Sequence, residues 1–129
     1  MKAKAHVIGG VTFTLSTVLF VKHNQPDLVL NLIEVFSGGF IGSLLPDMDH
    51  KKSLFGSILH IPVKHRTLTH SLLFLLLMTA MCLQLSLSFG LGIFCGIFSH
   101  DLLDMMGRKS AGICLFYPSK KRYGFFRLP

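Results

Sequence analysis

The sequence predicts an all-α fold: an integral membrane bundle of about four transmembrane helices with polar, metal-ligating clusters at their cytoplasmic ends. Three observations lead there. Half of the 129 residues are hydrophobic and only 15% are charged, with a mean hydropathy of +0.57, more apolar surface than a domain of this size hides in one core. The apolar residues fall in four runs, each close to the roughly 17–25 residues that cross a bilayer at about 1.5 Å per residue. The third observation is the grouping of the scarce polar residues. Of six acids, four lie in Pro46-Asp47-Met48-Asp49-His50 and Ser99-His100-Asp101-Leu102-Leu103-Asp104, and a third cluster reads His65-Arg66-Thr67-Leu68-Thr69-His70-Ser71. Each cluster borders an apolar run.

The runs are assigned to helices at 5–21, 28–45, 72–89 and 90–106, with an inner loop over 46–71 and a basic tail over 107–129, all in one domain spanning 1–129. The first run follows Lys2 and Lys4 as a secretory signal would, but no A-x-A-like cleavage site comes after it. Pro46 is expected to end the second helix. Thr69 is a candidate N-cap for the third, and Gly90 marks the turn into the fourth. The loop over 51–64 mixes basic and apolar residues and is expected on the membrane surface.

Basic residues set the orientation. With the N-terminus inside, Lys2, Lys4, Lys51, Lys52, Lys64, Arg66, Arg108, Lys109, Lys120, Lys121, Arg122 and Arg127 are cytoplasmic and only Lys22 is outside. The positive-inside rule therefore puts both termini in the cytoplasm. His6, Asp47, Asp49, His70 and the His100–Asp104 segment then arrive at one membrane face from four separate stretches. A net charge of +7 suits anionic inner-leaflet lipids, and no recognition motif accompanies it that would suggest nucleic acid.

Carboxylate and imidazole are the side chains that bind zinc, manganese, iron or magnesium. His100 and Asp104 are four apart and share a helix face. Gly92 and Gly96 continue that face, His6, Gly10 and Thr14 repeat the pattern on the first helix, and Gly38 and Gly42 run toward Pro46 on the second. Small residues at this spacing let helices approach closely in lipid. The alternative for each helix is ordinary packing glycine with interfacial polar residues. Asp47 and Asp49 repel one another unless a cation lies between them. His65 and His70, five apart, cannot share one helix face. Glu34, with Asn31 before it, lies too far along the second helix to join the cluster and is expected to make an interhelical hydrogen bond. Cys82, Cys95 and Cys114 are read as buried thiols. The sequence contains no HExxH, GxSxG or P-loop motif.

With Leu44-Leu45-Pro46-Asp47-Met48-Asp49-His50, His65 to Ser71 and Ser99 to Asp104 in this order, the chain resembles the YdjM-like family. The resemblance implies a LexA-regulated bacterial inner-membrane protein and a metal-dependent hydrolase. Through that family it is distantly similar to zinc-dependent phospholipases C and single-strand nucleases. Their pattern of an early His, an Asp, a His and a later His-x-x-x-Asp looks like His6, Asp47 or Asp49, His65 or His70, and His100 with Asp104. The further His and His-x-x-x-Asp/Glu set of those enzymes is not in the chain, which implies one or two ions rather than three.

The expectation is a phosphoester hydrolase acting on a lipid or other membrane-proximal substrate. A divalent metal, zinc first, would be held by His6, Asp47, His70, His100 and Asp104, with Asp49 or His65 as further ligands. Asp49 would bridge a second ion or act as base, His65 would protonate the leaving group, Arg66 would hold the phosphate, and Asp101 would stand behind the ligands. Two alternatives need less: a noncatalytic metal- or lipid-binding component of a transport or regulatory assembly, and a membrane anchor without metal.

Overall fold

The computed structural model describes residues 3–49, 67–106 and 112–124, with only the backbone for Ala3, Met48 and Asp49. His65, Arg66, His60 and the loop over 51–64 lie outside these residues. Four helices occupy the described chain: α1 (Ala3–Asn24), α2 (Leu32–Leu44), α3 (Leu72–Leu83) and α4 (Leu87–Met106). Short 3-10 turns at Leu45–Asp49 and Leu68–His70 follow α2 and precede α3. A C-terminal strap over 112–124 closes on itself through one antiparallel bridge, Ile113 to Tyr123.

Among the described residues two helices, not four, are long and apolar enough to cross a bilayer: Lys4–Asn24 within α1 and Leu87–Met106. The 13 residues of α2 and 12 of α3 reach only about 20 and 18 Å, against a hydrocarbon core of about 30 Å. The second and third expected runs, 28–45 and 72–89, were too long because polar side chains cut into them, whereas α1 and α4 extend beyond the expected 5–21 and 90–106. Asn31, expected inside the second helix, is its N-cap and accepts from the Glu34 amide at 3.2 Å, so 28–31 are not helical. Ser86 accepts from the Phe89 amide at 3.3 Å and starts α4 early. Gly90 therefore lies in α4 rather than at the turn, with Leu83 packed where a Cβ would sit.

The outward faces are apolar, as a lipid-facing surface is. Ile8, Leu19 and Phe20 on α1, Ile33 on α2, and Leu73, Leu76 and Met81 on α3 are all more than half exposed. Glycines bring α2 and α4 together. A Cβ on Gly42 would meet the Ile93 carbonyl oxygen at 2.7 Å, and one on Gly96 would meet the Gly39 carbonyl oxygen at 2.5 Å. Backbone lies on backbone along this seam, as expected from Gly38, Gly42, Gly92 and Gly96, and Gly39 joins it. Beside it, Gly10 and Thr14 of α1 are buried against Ser43 and Gly39 of α2. Ile93 and Ile97 carry the apolar core to Phe74 and Leu75 of α3.

Ser71, not Thr69, caps α3, accepting from the Phe74 amide at 3.2 Å. Glu34 makes its interhelical bond, accepting from the Ser86 hydroxyl at 2.5 Å. The three cysteines are free and buried. The strap is held to the bundle by the Leu72 amide, which donates to the Leu115 carbonyl at 2.9 Å, and its Ile113 and Cys114 are buried.

Candidate metal centre

Three rings and two carboxylates converge from four segments. His6 comes from the first turns of α1, Asp47 from the 3-10 turn that prolongs α2 through Pro46, His70 from the turn before α3, and His100 and Asp104 from α4. Asp104 lies at the hub: Oδ2 is 3.0 Å from His70 Nε2 and 3.4 Å from His100 Nε2, and Oδ1 is 3.3 Å from His6 Nε2. Asp47 Oδ1 stands 3.4 Å from His100 Nε2 and 3.8 Å from His70 Nε2. The two histidine Nε2 atoms are 3.1 Å apart. His6 stacks on His100 with ring centroids 3.7 Å apart. His6, His70, His100 and Asp104 are buried, whereas the Asp47 side chain retains 18% exposure, so the centre opens on the Asp47 side.

His100 Nδ1 lies 2.5 Å from the Ser43 carbonyl oxygen, which can only accept, so Nδ1 carries the hydrogen and the Nε2 of the neutral ring faces inward as a lone pair. That lone pair meets Asp47 Oδ1, Asp104 Oδ2 and His70 Nε2. Carboxylate oxygens and imidazole lone pairs repel one another unless protons or a cation lie among them. A tetrahedral zinc ion with ligands at about 2.0–2.1 Å sets its ligand atoms about 3.3 Å apart. Five separations among His70 Nε2, His100 Nε2, Asp47 Oδ1 and Asp104 Oδ2 run from 3.0 to 3.8 Å and bracket that value. The residues therefore fit a divalent ion in spacing and in donor chemistry. His6, Asp47 and His100 form a second grouping of ligand atoms within 4.8 Å of one another. Without an ion, protons on the rings would take its place: burial would raise the Asp47 carboxyl, but a hydrogen bond from a protonated His100 and the charges of the surrounding imidazoles would hold it below the ordinary range.

Five of the seven residues expected as ligands, His6, Asp47, His70, His100 and Asp104, are thus together. The side chains of Asp49, His65 and Arg66 lie outside the described residues, and with them the expected base, acid and phosphate donor. Asp101 is buried, and its Oδ1 accepts no hydrogen bond among the described residues. It lines an apolar cavity of about 220 Å³ with Leu72, Leu75, Phe98, Leu102, Met105 and Leu115, rather than backing a ligand. Sequence reasoning did not find the Ser43 carbonyl that orients His100, because a backbone acceptor leaves no residue signature. It assigned Thr69 to a cap, whereas its hydroxyl lies 3.2 Å from His70 Nδ1, where it fixes the second ring.

Comparison with known proteins agrees with the apolar architecture. The family model described as YdjM inner membrane protein matches residues 1–129. An uncharacterized protein of Bacillus subtilis (strain 168), YvsG, is 32% identical over 140 residues that cover 100% of this chain and 79% of that relative. No solved structure matches the chain.

Proposed function

The chain belongs to the YdjM inner membrane protein family, and we propose that its buried His/Asp cluster is the divalent-metal centre of a membrane-embedded hydrolase. The substrate class is a phosphoester of a lipid or another membrane-proximal molecule. One observation carries the reading: His70 Nε2, His100 Nε2 and Asp104 Oδ2 lie 3.0 to 3.4 Å from one another, the mutual spacing of a metal's coordination shell, with Asp47 Oδ1 at 3.4 and 3.8 Å from the two rings. The distribution of basic residues puts this centre on the cytoplasmic side of the membrane.

In this reading His70, His100, Asp47 and Asp104 hold the ion, with zinc first among the metals. His6 completes the wall, its Nε2 on the other oxygen of Asp104. The Ser43 carbonyl and Thr69 hydroxyl fix the two rings so that neither has to reorient when it ligates. A divalent ion in such a site supplies a nucleophile near neutral pH and polarises a phosphoryl oxygen. Among the five described side chains only Asp47 keeps appreciable exposure, so substrate would approach on that side. A second reading has an observation of its own. Four of the five side chains are buried, as in closed structural metal sites, and a noncatalytic metal-binding membrane component would have the same centre without turnover.

The test is elemental analysis of the detergent-purified protein beside an Asp47→Ala/His100→Ala variant that keeps its helical circular dichroism, followed by a phospholipid hydrolysis assay of both. The expected result is about one or two equivalents of metal, lost in the variant together with hydrolysis. Metal without turnover on any phosphoester selects the noncatalytic reading. Absence of metal after re-addition of zinc, manganese or iron removes both.

A further inference from the structure

A second polar feature lies outside the metal cluster. The C-terminal strap encloses a cleft of about 460 Å³ lined by Thr67, Cys114, Tyr117, Pro118, Ser119, Lys120 and Arg122. Among the described residues two cations and two aliphatic hydroxyls line it, and no carboxylate does. Arg122 is part-buried and its Nη1 donates to the Gly112 carbonyl at 3.1 Å, which holds the guanidinium in place at the strap. Gly112 permits this closure, because its φ of +81° and the Tyr123 backbone packed against it leave no room for a Cβ. Lys120 is exposed at the rim. A planar guanidinium fork, an ammonium and a hydroxyl around a concavity that no described acid lines suit a tetrahedral oxyanion.

Its place in the fold identifies the carrier of that oxyanion. Thr67 lines the cleft, and its carbonyl accepts from the His70 amide at 3.2 Å, so the cleft reaches the turn that carries a metal-centre ring. Cys114 lines the cleft, and the next residue, Leu115, lines the apolar cavity of about 220 Å³ beside α3 and α4. A phosphate receptor and an apolar cavity thus meet at adjacent residues of one strap. Free phosphate needs only the first, whereas a phospholipid uses both.

We propose that the cleft beneath the strap binds the phosphate headgroup of an anionic membrane phospholipid, with Lys120 and Arg122 as the cationic contacts. That the bound lipid is also presented to the metal centre rests on the hydrolase reading above. Headgroup binding itself does not.

The test is native mass spectrometry of the detergent-solubilised full chain with dioleoyl phosphatidylglycerol, with uncharged dioleoylglycerol, and with inorganic phosphate as competitor. Metal content is measured on the same samples. Lys120→Glu is expected to weaken phosphatidylglycerol binding about tenfold or more, the effect of removing one charged hydrogen bond and adding a like charge. Lys22→Glu, the same charge change at the far end of α1, should stay within about twofold of the unchanged protein. Both variants lie at exposed positions and should keep the wild-type metal content. Equal lipid binding by Lys120→Glu and the unchanged protein overturns the proposal, as does dioleoylglycerol bound as tightly as phosphatidylglycerol. Displacement of the lipid by an equal concentration of inorganic phosphate overturns the lipid assignment and gives the cleft to free phosphate. A metal-free wild type that still binds the lipid through Lys120 upholds the cleft while removing the hydrolase reading, so the two fail separately.

Discussion

Adding one methyl group at Gly96 should cost the protein the proposed metal centre while leaving its helices formed. Gly96 lies one turn before His100 on α4, and a Cβ there would sit 2.5 Å from the Gly39 carbonyl oxygen, 2.6 Å from the Ser43 amide nitrogen and 2.7 Å from the Gly42 carbonyl carbon. All three are backbone atoms of α2, so no side chain can swing aside. Ordinary contact begins near 3.4 Å, and the helices must therefore separate by about 0.8 Å or bend by as much locally. Overpacking of this kind costs about 1–3 kcal/mol. The displacement also acts on the site, because the 2.5 Å bond from His100 Nδ1 crosses from α4 to the Ser43 carbonyl of α2. Lengthened by about 0.8 Å, that bond falls at the limit of useful hydrogen bonding. Asp47, carried by the turn that continues α2, moves off His100 by a similar amount, against a tolerance of about 0.2 Å for metal ligands. Gly96→Ala should accordingly lower metal affinity about tenfold or more at unchanged helical circular dichroism, measured by metal titration of the chelator-treated protein in detergent. The control is Gly9→Ala, whose Cβ would meet only the end of the Leu103 side chain, at 2.5 Å from Cδ1, and which should bind metal normally. Wild-type affinity in Gly96→Ala would refute the claim that the α2–α4 seam sets the geometry of the centre.

The remaining predictions concern single contacts. Asp104→Ala, which removes the carboxylate facing all three rings, should abolish stoichiometric metal binding, whereas His6→Ala should weaken it about 10–100-fold; elemental analysis and titration of both variants separate the two, and equal effects would contradict the hub role of Asp104. Ser71→Ala removes both the cap to the Phe74 amide and the hydroxyl's 2.6 Å bond to the Leu68 carbonyl, and should lower stability by about 1–2 kcal/mol in thermal unfolding, with Ser71→Thr recovering much of the loss. A double-mutant cycle on Glu34→Gln and Ser86→Ala should give a coupling of about 0.6 kcal/mol and no more than about 1.7, with metal content unchanged because the pair lies at the other end of α2 from the centre; a change in metal content would join the two ends in a way the packing does not suggest.

Much of the His/Asp cluster was legible in the sequence because its signals are local. His100 and Asp104 share a helix face by spacing alone, and the scarcity of acids made each clustered carboxylate informative. The glycine seam was legible for the same reason, since Gly92 and Gly96 on one helix and Gly38 and Gly42 on another have periodicity as their whole signal. Helix ends were less so. An apolar run does not show where the chain stops bonding to itself, and at Asn31, Ser71 and Ser86 a side-chain oxygen that accepts a backbone amide decided the boundary against the hydropathy pattern.

The amino-acid order by itself determined that the chain is helical and apolar, and which rings and carboxylates stand at helix ends, because composition and periodicity are properties of the chain alone. Only the tertiary structure decided that these ends meet. Asp104 touches His6, 98 positions away, because a backbone-to-backbone seam brings α2 onto α4 and α1 packs beside it, and His100 is aimed by a carbonyl that any residue at position 43 would supply. The strap and its cleft were equally invisible in the chain, since Lys120 and Arg122 come to line one cleft only when Gly112 and Tyr123 close the strap and Leu115 ties it to α3.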